Sequence, residues 1–442
     1  MGSRFGTDGI RGAVGSEITV ELALALGRAV GHRLGGSGRM VVLGRDTRRS
    51  GEMLDAALTA GLTATGTDVV DLGVVTTPCL VHASAGDSYA AGIMVSASHN
   101  PAPDNGLKVV IDGRKLSDEA EADLESLIDD PGAVPERPND ELGRLRADRG
   151  GVEAYRRHLA EAAGDAFAGL RVGIDCANGS AAAIAPDLFR AQGAEVTVLF
   201  DAPDGTNINE GCGSTHPERL AETVAAAGLH LGLAFDGDAD RLIAVDERGE
   251  LVDGDAIMGI VALERLTAGT LRNGLVVTTV MSNGGLERVV TQAGGRMVRT
   301  PVGDRHVFEA MEREDAALGG EQSGHIIFRD RASTGDGLLT GIELVRAVRG
   351  AGRPLSELAG QIPRLPQVVI NSAARRREAW REDPEFSGAV DRATEQMGDR
   401  GRVLVRPSGT EPKIRIMVEG DDAGEIDRIA RELATLAEAR LN

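Results

Sequence analysis

A chain of 442 residues with 42% hydrophobic and 26% charged residues holds enough apolar material for three or four cores, which excludes wholesale disorder and collagen-like or mucin-like repeats. A net charge of −20 and only eight Phe, two Tyr and one Trp argue against nucleic acid as a partner, because that role needs a cationic surface and stacking platforms. Three widely spaced cysteines (Cys79, Cys176, Cys212), no signal-peptide core in Met1-Gly2-Ser3-Arg4-Phe5-Gly6 and no run near the roughly 18 apolar residues of a membrane span lead us to expect a reducing cytoplasm and no membrane partner.

In chain order, three segments share one grammar: a short apolar run, a helical pattern, a glycine, then a second apolar run. The first reads as a strand over 40–46, a helix over 52–64 and a strand over 69–72. The charged, proline-bearing stretch 129–139 reads as a surface excursion, with a boundary near 150. The second unit reads as a strand over 170–175, a helix over 180–192 closed by Gly193 and a strand over 195–199. The third follows as 275–280, 284–293 and 297–299. Pro363 to Pro366 marks another boundary, beyond which apolar runs at 368–370, 403–405 and 414–418 and a helix over 423–440 suggest a small α+β domain. The expected fold is therefore α/β: three similar mixed βαβ domains (1–150, 151–252, 253–364) plus a smaller C-terminal α+β domain (365–442). In such units the loops at strand C-termini carry ligands, so the domains would point loops at a shared central cleft.

Four loops carry candidate chemistry. Gly92-Ile93-Met94-Val95 delivers Ser96-Ala97-Ser98-His99-Asn100-Pro101, either a Ser/Asn-rich turn or a site for a hydroxyl nucleophile with His99 and Lys108 nearby. In Phe235-Asp236-Gly237-Asp238-Ala239-Asp240-Arg241, carboxylates at alternate positions of an extended segment share one side and demand positive charge. Hard oxygen ligands suit Mg²⁺, with Ca²⁺ or a solvated acidic turn as alternatives, but Arg241 stands where an EF-hand requires glycine. Gly319-Gly320-Glu321-Gln322-Ser323-Gly324-His325 suggests polar-ligand recognition or a glycine-rich turn. Arg406-Pro407-Ser408-Gly409-Thr410-Glu411-Pro412-Lys413-Ile414-Arg415 suits a phosphate dianion or a charged hairpin turn, and no nucleotide P-loop occurs. Only Lys108, Lys115 and Lys413 are lysines among 48 basic residues. Because lysine can release a proton and arginine cannot, Lys108 is an acid/base candidate, whereas Lys115 reads as a surface residue.

These motifs, with Arg4-Phe5-Gly6-Thr7-Asp8-Gly9-Ile10-Arg11-Gly12, occur in the order found in the α-D-phosphohexomutase superfamily, which the chain resembles over essentially its whole length. Asn207-Ile208-Asn209, Gly213-Ser214-Thr215-His216-Pro217-Glu218 and Gln322 resemble its glucosamine branch, the bacterial phosphoglucosamine mutases. The resemblance implies an isomerase that interconverts glucosamine 6-phosphate and glucosamine 1-phosphate through a phosphoserine and a bisphosphorylated sugar. That reaction would feed UDP-N-acetylglucosamine and cell-wall synthesis. It implies one Mg²⁺ per subunit, held by Asp236, Asp238, Asp240 and the phosphoryl group on Ser98. It further implies sugar contacts from Glu321, Ser323 and His325, and a site for the idle phosphate at Arg406, Ser408, Gly409, Thr410 and Arg415. Arg11 and Arg241 would offset charge on the moving phosphoryl, while Lys108 or His99 exchanges the hydroxyl proton. At −20 overall, attraction of an anionic sugar must come from a basic cleft lining and the metal. Departures from the family pattern are Ala239, for a usual glycine, and Ala102-Pro103 after the serine loop. Phosphomannomutase or phosphoglucomutase activity, or an idle sugar-phosphate-binding protein, are the alternatives. Monomer and homodimer both stay open.

Overall fold

The computed structural model describes residues 4–6, 8–86, 88–135, 137–408 and 412–442. Four sheets follow one another along the chain. The first runs Ile10–Ala13, Asp104–Ile111, Ala91–Val95, Met40–Arg45, Asp68–Val74 and Leu145–Ala147 in spatial order, with Arg114–Lys115 paired on Asp104–Ile111. Its middle pairs are parallel and the Asp104–Ile111 pairs antiparallel, the mixed arrangement that the βαβ grammar implied. The second sheet runs Leu251–Val252, Leu242–Asp246, Leu231–Phe235, Arg171–Asp175, Glu195–Leu199. The third runs Arg296–Thr300, Leu275–Thr279, Leu318–Gly320, Ile326–Phe328, and the last, smaller sheet runs Gln367–Ala373, Lys413–Gly420, Gly401–Pro407. The fold class is thus α/β, with three similar domains and a smaller C-terminal one. No described helix is long and apolar enough to cross a membrane.

Two local readings change. The helix expected over 180–192 splits into a 3₁₀ turn, Ser180–Ala183, and a helix, Ala185–Ala191, with Pro186 in its first turn. Proline has no N–H and collides with the preceding turn, so it starts a helix better than it continues one. The excursion beyond residue 129 ends in a strand, Leu145–Ala147, that returns to pair in parallel with Val69–Asp71. Short and exposed, it carries no apolar alternation to betray it.

One continuous apolar cluster ties the first three sheets together, from Val42, Val70 and Leu72 through Phe167, Phe189 and Phe235 to Phe328 and Leu344. The helix Gly150–Ala163 bridges them by packing against Thr77–Ser84 and Gly337–Ala351, and its Tyr155 hydroxyl donates to Asp336 Oδ2 at 2.9 Å. The C-terminal domain instead has its own core around Trp380, Phe386, Ile414, Ile416 and Leu433. Polar contacts attach it to the third domain. Asn283 donates to Leu365 O and accepts from Leu365 N, both at 3.0 Å. Arg402 donates to the carbonyls of Val280 (2.8 Å) and Ser282 (2.6 Å), and Glu419 Oε1 accepts from Gly284 N at 2.9 Å. Gly285 is required here, because a Cβ would lie 1.6 Å from Pro363 O.

Asp255 buttresses this junction by accepting from Asn283 N at 2.8 Å. Burial, only partly offset by that hydrogen bond, raises its pKa from 3.8 to about 7. The folded state therefore holds this proton more tightly than the unfolded chain, and its share of stability is lost as pH rises from about 4 through 7. Asp255→Asn keeps an acceptor for Asn283 and removes the charge. Urea unfolding at pH 5 and pH 8 should show the variant gaining on wild type at the higher pH, by at most ~3 kcal/mol. An unchanged difference between the two pH values would contradict the assignment.

Candidate active site

The serine loop leaves the buried strand Ala91–Val95, and Ser98 adopts φ = +53°, a left-handed conformation uncommon outside glycine. Several buried groups hold it there. Ser98 N donates to Ser96 Oγ at 2.9 Å, and Ser96 Oγ donates to Asp46 Oδ2 at 2.7 Å. Arg48, itself anchored on Asp46, donates to the carbonyls of Ser98 (3.0 Å) and Asn100 (2.7 Å). Asn209 Nδ2, from the second domain, donates to the same two carbonyls at 2.9 and 3.0 Å. The loop's carbonyls are thus occupied and the Ser98 hydroxyl is left to face outward from the turn.

That hydroxyl donates to Asp236 Oδ2 at 2.6 Å, which joins the serine of the first domain to the acidic loop of the second. Asp236, Asp238 and Asp240 follow the strand Leu231–Phe235, all three are buried, and their ligand oxygens lie within 4.8 Å of one another. Asp238 Oδ1 and Asp240 Oδ1 are buried without a hydrogen-bond partner. Hard, unsatisfied carboxylate oxygens converging in this way fit a divalent cation. Burial, with Asp240 and Asp238 close by, drives the Asp236 pKa well above its ordinary range. Burial pushes Asp240 up as well, but Lys108 and His325 outweigh it and hold Asp240 well below the ordinary range.

Cations surround this cluster. Lys108 Nζ lies 2.7 Å from Asp238 Oδ2, 3.0 Å from Asp8 Oδ2 and 3.8 Å from Asp240 Oδ2. Arg11 pairs with Asp8. Arg241 Nη1 lies 3.0 Å from His99 Nδ1, which is also 3.3 Å from Ser98 Oγ. Burial, reinforced by Arg241 and Arg11, lowers His99 to about 4, so the imidazole is neutral at physiological pH. The expected basic lining is in fact an alternation: carboxylates of Asp8, Asp304 and the acidic triplet interleave with Lys108, Lys115, Arg11 and Arg241.

The sugar-loop candidates divide. Glu321, partly buried, and Ser323, exposed, lie together, with Ser323 Oγ donating to Glu321 Oε2 at 3.2 Å, and Gly303 N donating to Glu321 Oε1 at 3.2 Å. His325 points the other way and is 3% exposed, with Nδ1 3.6 Å from Asp240 Oδ2 and Nε2 3.4 Å from Asp304 Oδ2. Gly324 between them has φ = +92°, and a Cβ there would lie 2.1 Å from Leu242 O, so glycine is what lets the Glu321–His325 loop lie on the strand that follows the acidic loop.

Arg406 and Arg415 face each other across the last sheet and line a cavity with Met281, Asn371 and Met417. Among the described residues no carboxylate pairs with either, and burial followed by Arg415 lowers the Arg406 pKa. Two guanidiniums with no carboxylate partner among the described residues suit an anion. Ser408 is buried beside them, its carbonyl accepting from Arg377 Nε at 2.7 Å. Gly409 and Thr410 lie outside the described residues.

Sequence reasoning missed Arg48, Asp8, Asp304 and Lys115. Arg48 carried a usable signal, since Asp46-Thr47-Arg48 follows directly on the C-terminus of the strand Met40–Arg45. Lys115 shared with Lys108 only the rarity of lysine in this chain: it sits on a two-residue strand, is 23% exposed and pairs with both Asp8 and Asp304.

Ala239 has φ = +56°, which explains the glycine common at this place in the resembled family. Ala239→Gly should stabilise the protein by ~0.5–1 kcal/mol, the relief of left-handed strain less the added freedom of the unfolded chain. A destabilised variant in urea unfolding would contradict the strain assigned to this loop.

Comparison with known proteins follows the same domain order. Domains I, II, III and IV of the phosphoglucomutase/phosphomannomutase family match residues 2–133, 153–249, 253–365 and 369–436. A phosphoglucosamine mutase of Symbiobacterium thermophilum is 51% identical, with all of both chains covered. One from Moorella thermoacetica is 50% identical over 99% of each chain. Among solved structures, a phosphoglucomutase/phosphomannomutase family protein of Burkholderia thailandensis superposes with a TM-score of 0.85 at 29% identity, covering 100% of this chain and 99% of its own.

Proposed function

From the premise that the chain belongs to the phosphoglucomutase/phosphomannomutase family, we propose that it is a phosphoglucosamine mutase, interconverting glucosamine 6-phosphate and glucosamine 1-phosphate. The observation that carries the reading is the 2.6 Å hydrogen bond from Ser98 to Asp236, which sets a nucleophilic hydroxyl against the acidic triplet. Relatives 45–51% identical over nearly their full length, named for this activity, support the choice of sugar. The amino-sugar phosphate is then the small-molecule partner, and the three buried, unpaired cysteines support a cytoplasmic setting.

Ser98 is the phosphoryl carrier. In the resting enzyme its oxygen bears the group that passes to O1 of the 6-phosphate, the P–O bond to Ser98 breaking as that to the sugar forms. The proton that the sugar hydroxyl loses is regained by Ser98, with Lys108, whose Nζ lies beside the acidic triplet, the group that handles it. Lys108 suits this task better than His99, whose Nδ1 faces a guanidinium that can only donate and whose pKa is near 4. The bisphosphorylated sugar then turns over and returns its 6-phosphoryl group to Ser98. Arg11 and Arg241 offset charge on the moving group, Glu321 and Ser323 hold sugar hydroxyls, and Arg406 with Arg415 grips whichever phosphate is idle. Asp236, Asp238 and Asp240 would hold one Mg²⁺, with the phosphoryl oxygen on Ser98 as a further ligand. Bound there, the ion supplies positive charge against the phosphoryl oxygens.

Purified protein given glucosamine 6-phosphate, Mg²⁺ and a glucosamine bisphosphate primer should form the 1-phosphate, with kcat/KM higher than for glucose or mannose 6-phosphate. Ser98→Ala should lose at least about a thousandfold in kcat while still binding the sugar phosphate. Near-normal turnover of that variant would refute the nucleophile, and a higher kcat/KM for glucose or mannose would refute the sugar. The metal has its own test. Mg²⁺ at roughly 100 times its Kd should stabilise wild type by about 2.7 kcal/mol over an EDTA control. Asp240→Asn should lose that gain, and equal stabilisation of both proteins would place the ion elsewhere.

A further inference from the structure

Lys115 and Asp304 take no part in the chemistry described above, yet a chain of ion pairs runs through them from the first large domain to the third. Asp8 Oδ2 meets Lys108 at 3.0 Å and also pairs with Arg11, while Asp8 Oδ1 pairs with Lys115. Lys115 pairs in turn with Asp304 Oδ2. His325 Nε2 lies 3.4 Å from that oxygen but accepts from Gly335 N at 3.1 Å, and its Nδ1 lies 3.6 Å from Asp240 Oδ2. Asp240 in turn is 3.8 Å from Lys108. The side chains of Asp8, Lys115 and Asp304 are 19%, 23% and 14% exposed, so water screens these charges only partly.

Two mechanical consequences follow. A carboxylate gripped by Lys115 at Oδ1 cannot rotate freely, so its Oδ2 keeps Lys108 and Arg11 in place. Asp304 follows Gly303, whose N–H donates to Glu321 Oε1 at 3.2 Å, so the same lysine also ties the first domain to the loop carrying Glu321 and Ser323. The cations around the transferring phosphoryl and the groups for the sugar hydroxyls are thereby set at one separation. Geometry of this kind governs rate, since displacement by about 1 Å can cost a hundredfold.

We propose that Lys115 and Asp304 are positioning residues: the bridge between them fixes Asp8, and through it Lys108 and Arg11, relative to the sugar loop at Glu321. The proposal rests on the mutase reading above. Neither residue touches substrate in this role, so its loss falls on kcat and leaves KM nearly unchanged.

The test is steady-state turnover of the full chain with glucosamine 6-phosphate, Mg²⁺ and the bisphosphate primer. Lys115→Met and Asp304→Asn should each lower kcat about 10- to 100-fold with KM within about threefold. Lys115→Arg should recover much of the rate, and the double variant Lys115→Met/Asp304→Asn should be no slower than the slower single one, because one bridge is removed in each case. Wild-type kcat in Lys115→Met, losses that multiply in the double variant, or a Lys115→Arg as slow as Lys115→Met would each overturn the proposal. Should Lys115→Met fail to fold by circular dichroism, Asp304→Asn and Lys115→Arg decide alone: a slow Asp304→Asn with a fast Lys115→Arg supports the bridge, and any other pairing overturns it. A wild-type protein with no mutase turnover would strike the functional reading first, an outcome distinct from any of these.

Discussion

Three carboxylates in five consecutive residues, all buried, constitute a charge density that no folded chain holds without compensation, and the compensation organises this molecule. Lys108 comes from the first sheet, Arg241 from the end of the acidic loop itself, and His325 from the loop between two strands of the third sheet. The Ser98 hydroxyl is drawn into the same cluster by its bond to Asp236. Because Lys108, Ser98 and His325 come from other domains, the acidic loop draws its compensation from all three large domains. The site and the domain arrangement are therefore one constraint.

The two halves of the chain's architecture answer different needs. A shared apolar core fuses the first three sheets, which suits the proposed phosphoryl transfer, since such chemistry tolerates little slack between the groups that carry it. The last domain has a separate core and hangs on Asn283, Arg402, Glu419 and a linker pressed against Gly285. Polar contacts of this sort exchange readily with water, so this domain is attached less firmly than the first three are to one another.

Much of this was legible in the residues because the chemistry is local. Alternating aspartates in 236–240 announce crowded charge whatever the fold, and a serine loop that follows an apolar strand, with His99 and Lys108 near in sequence, offers a hydroxyl nucleophile. What stayed hidden depends on long-range geometry. Spacing placed His325 with Glu321 and Ser323, but the left-handed turn at Gly324 sends its ring toward Asp240 and Asp304. Lys115 looked like a surface lysine since its partners lie 107 and 189 residues away in sequence, and nothing in the local pattern of a two-residue strand reports them. The interruption before Ala185–Ala191 was available in Pro186 and was outweighed by the surrounding helical pattern.

The most direct test of the central claim is where the stored phosphoryl group resides. Protein incubated with glucosamine 1,6-bisphosphate and then digested should yield a peptide spanning Ser98 that is heavier by one phosphoryl group, with fragmentation locating the group on Ser98, and excess glucosamine 6-phosphate should remove it. A phosphoryl group found on Ser96 or on another domain, or one on Ser98 that the sugar phosphate never discharges, would contradict the account.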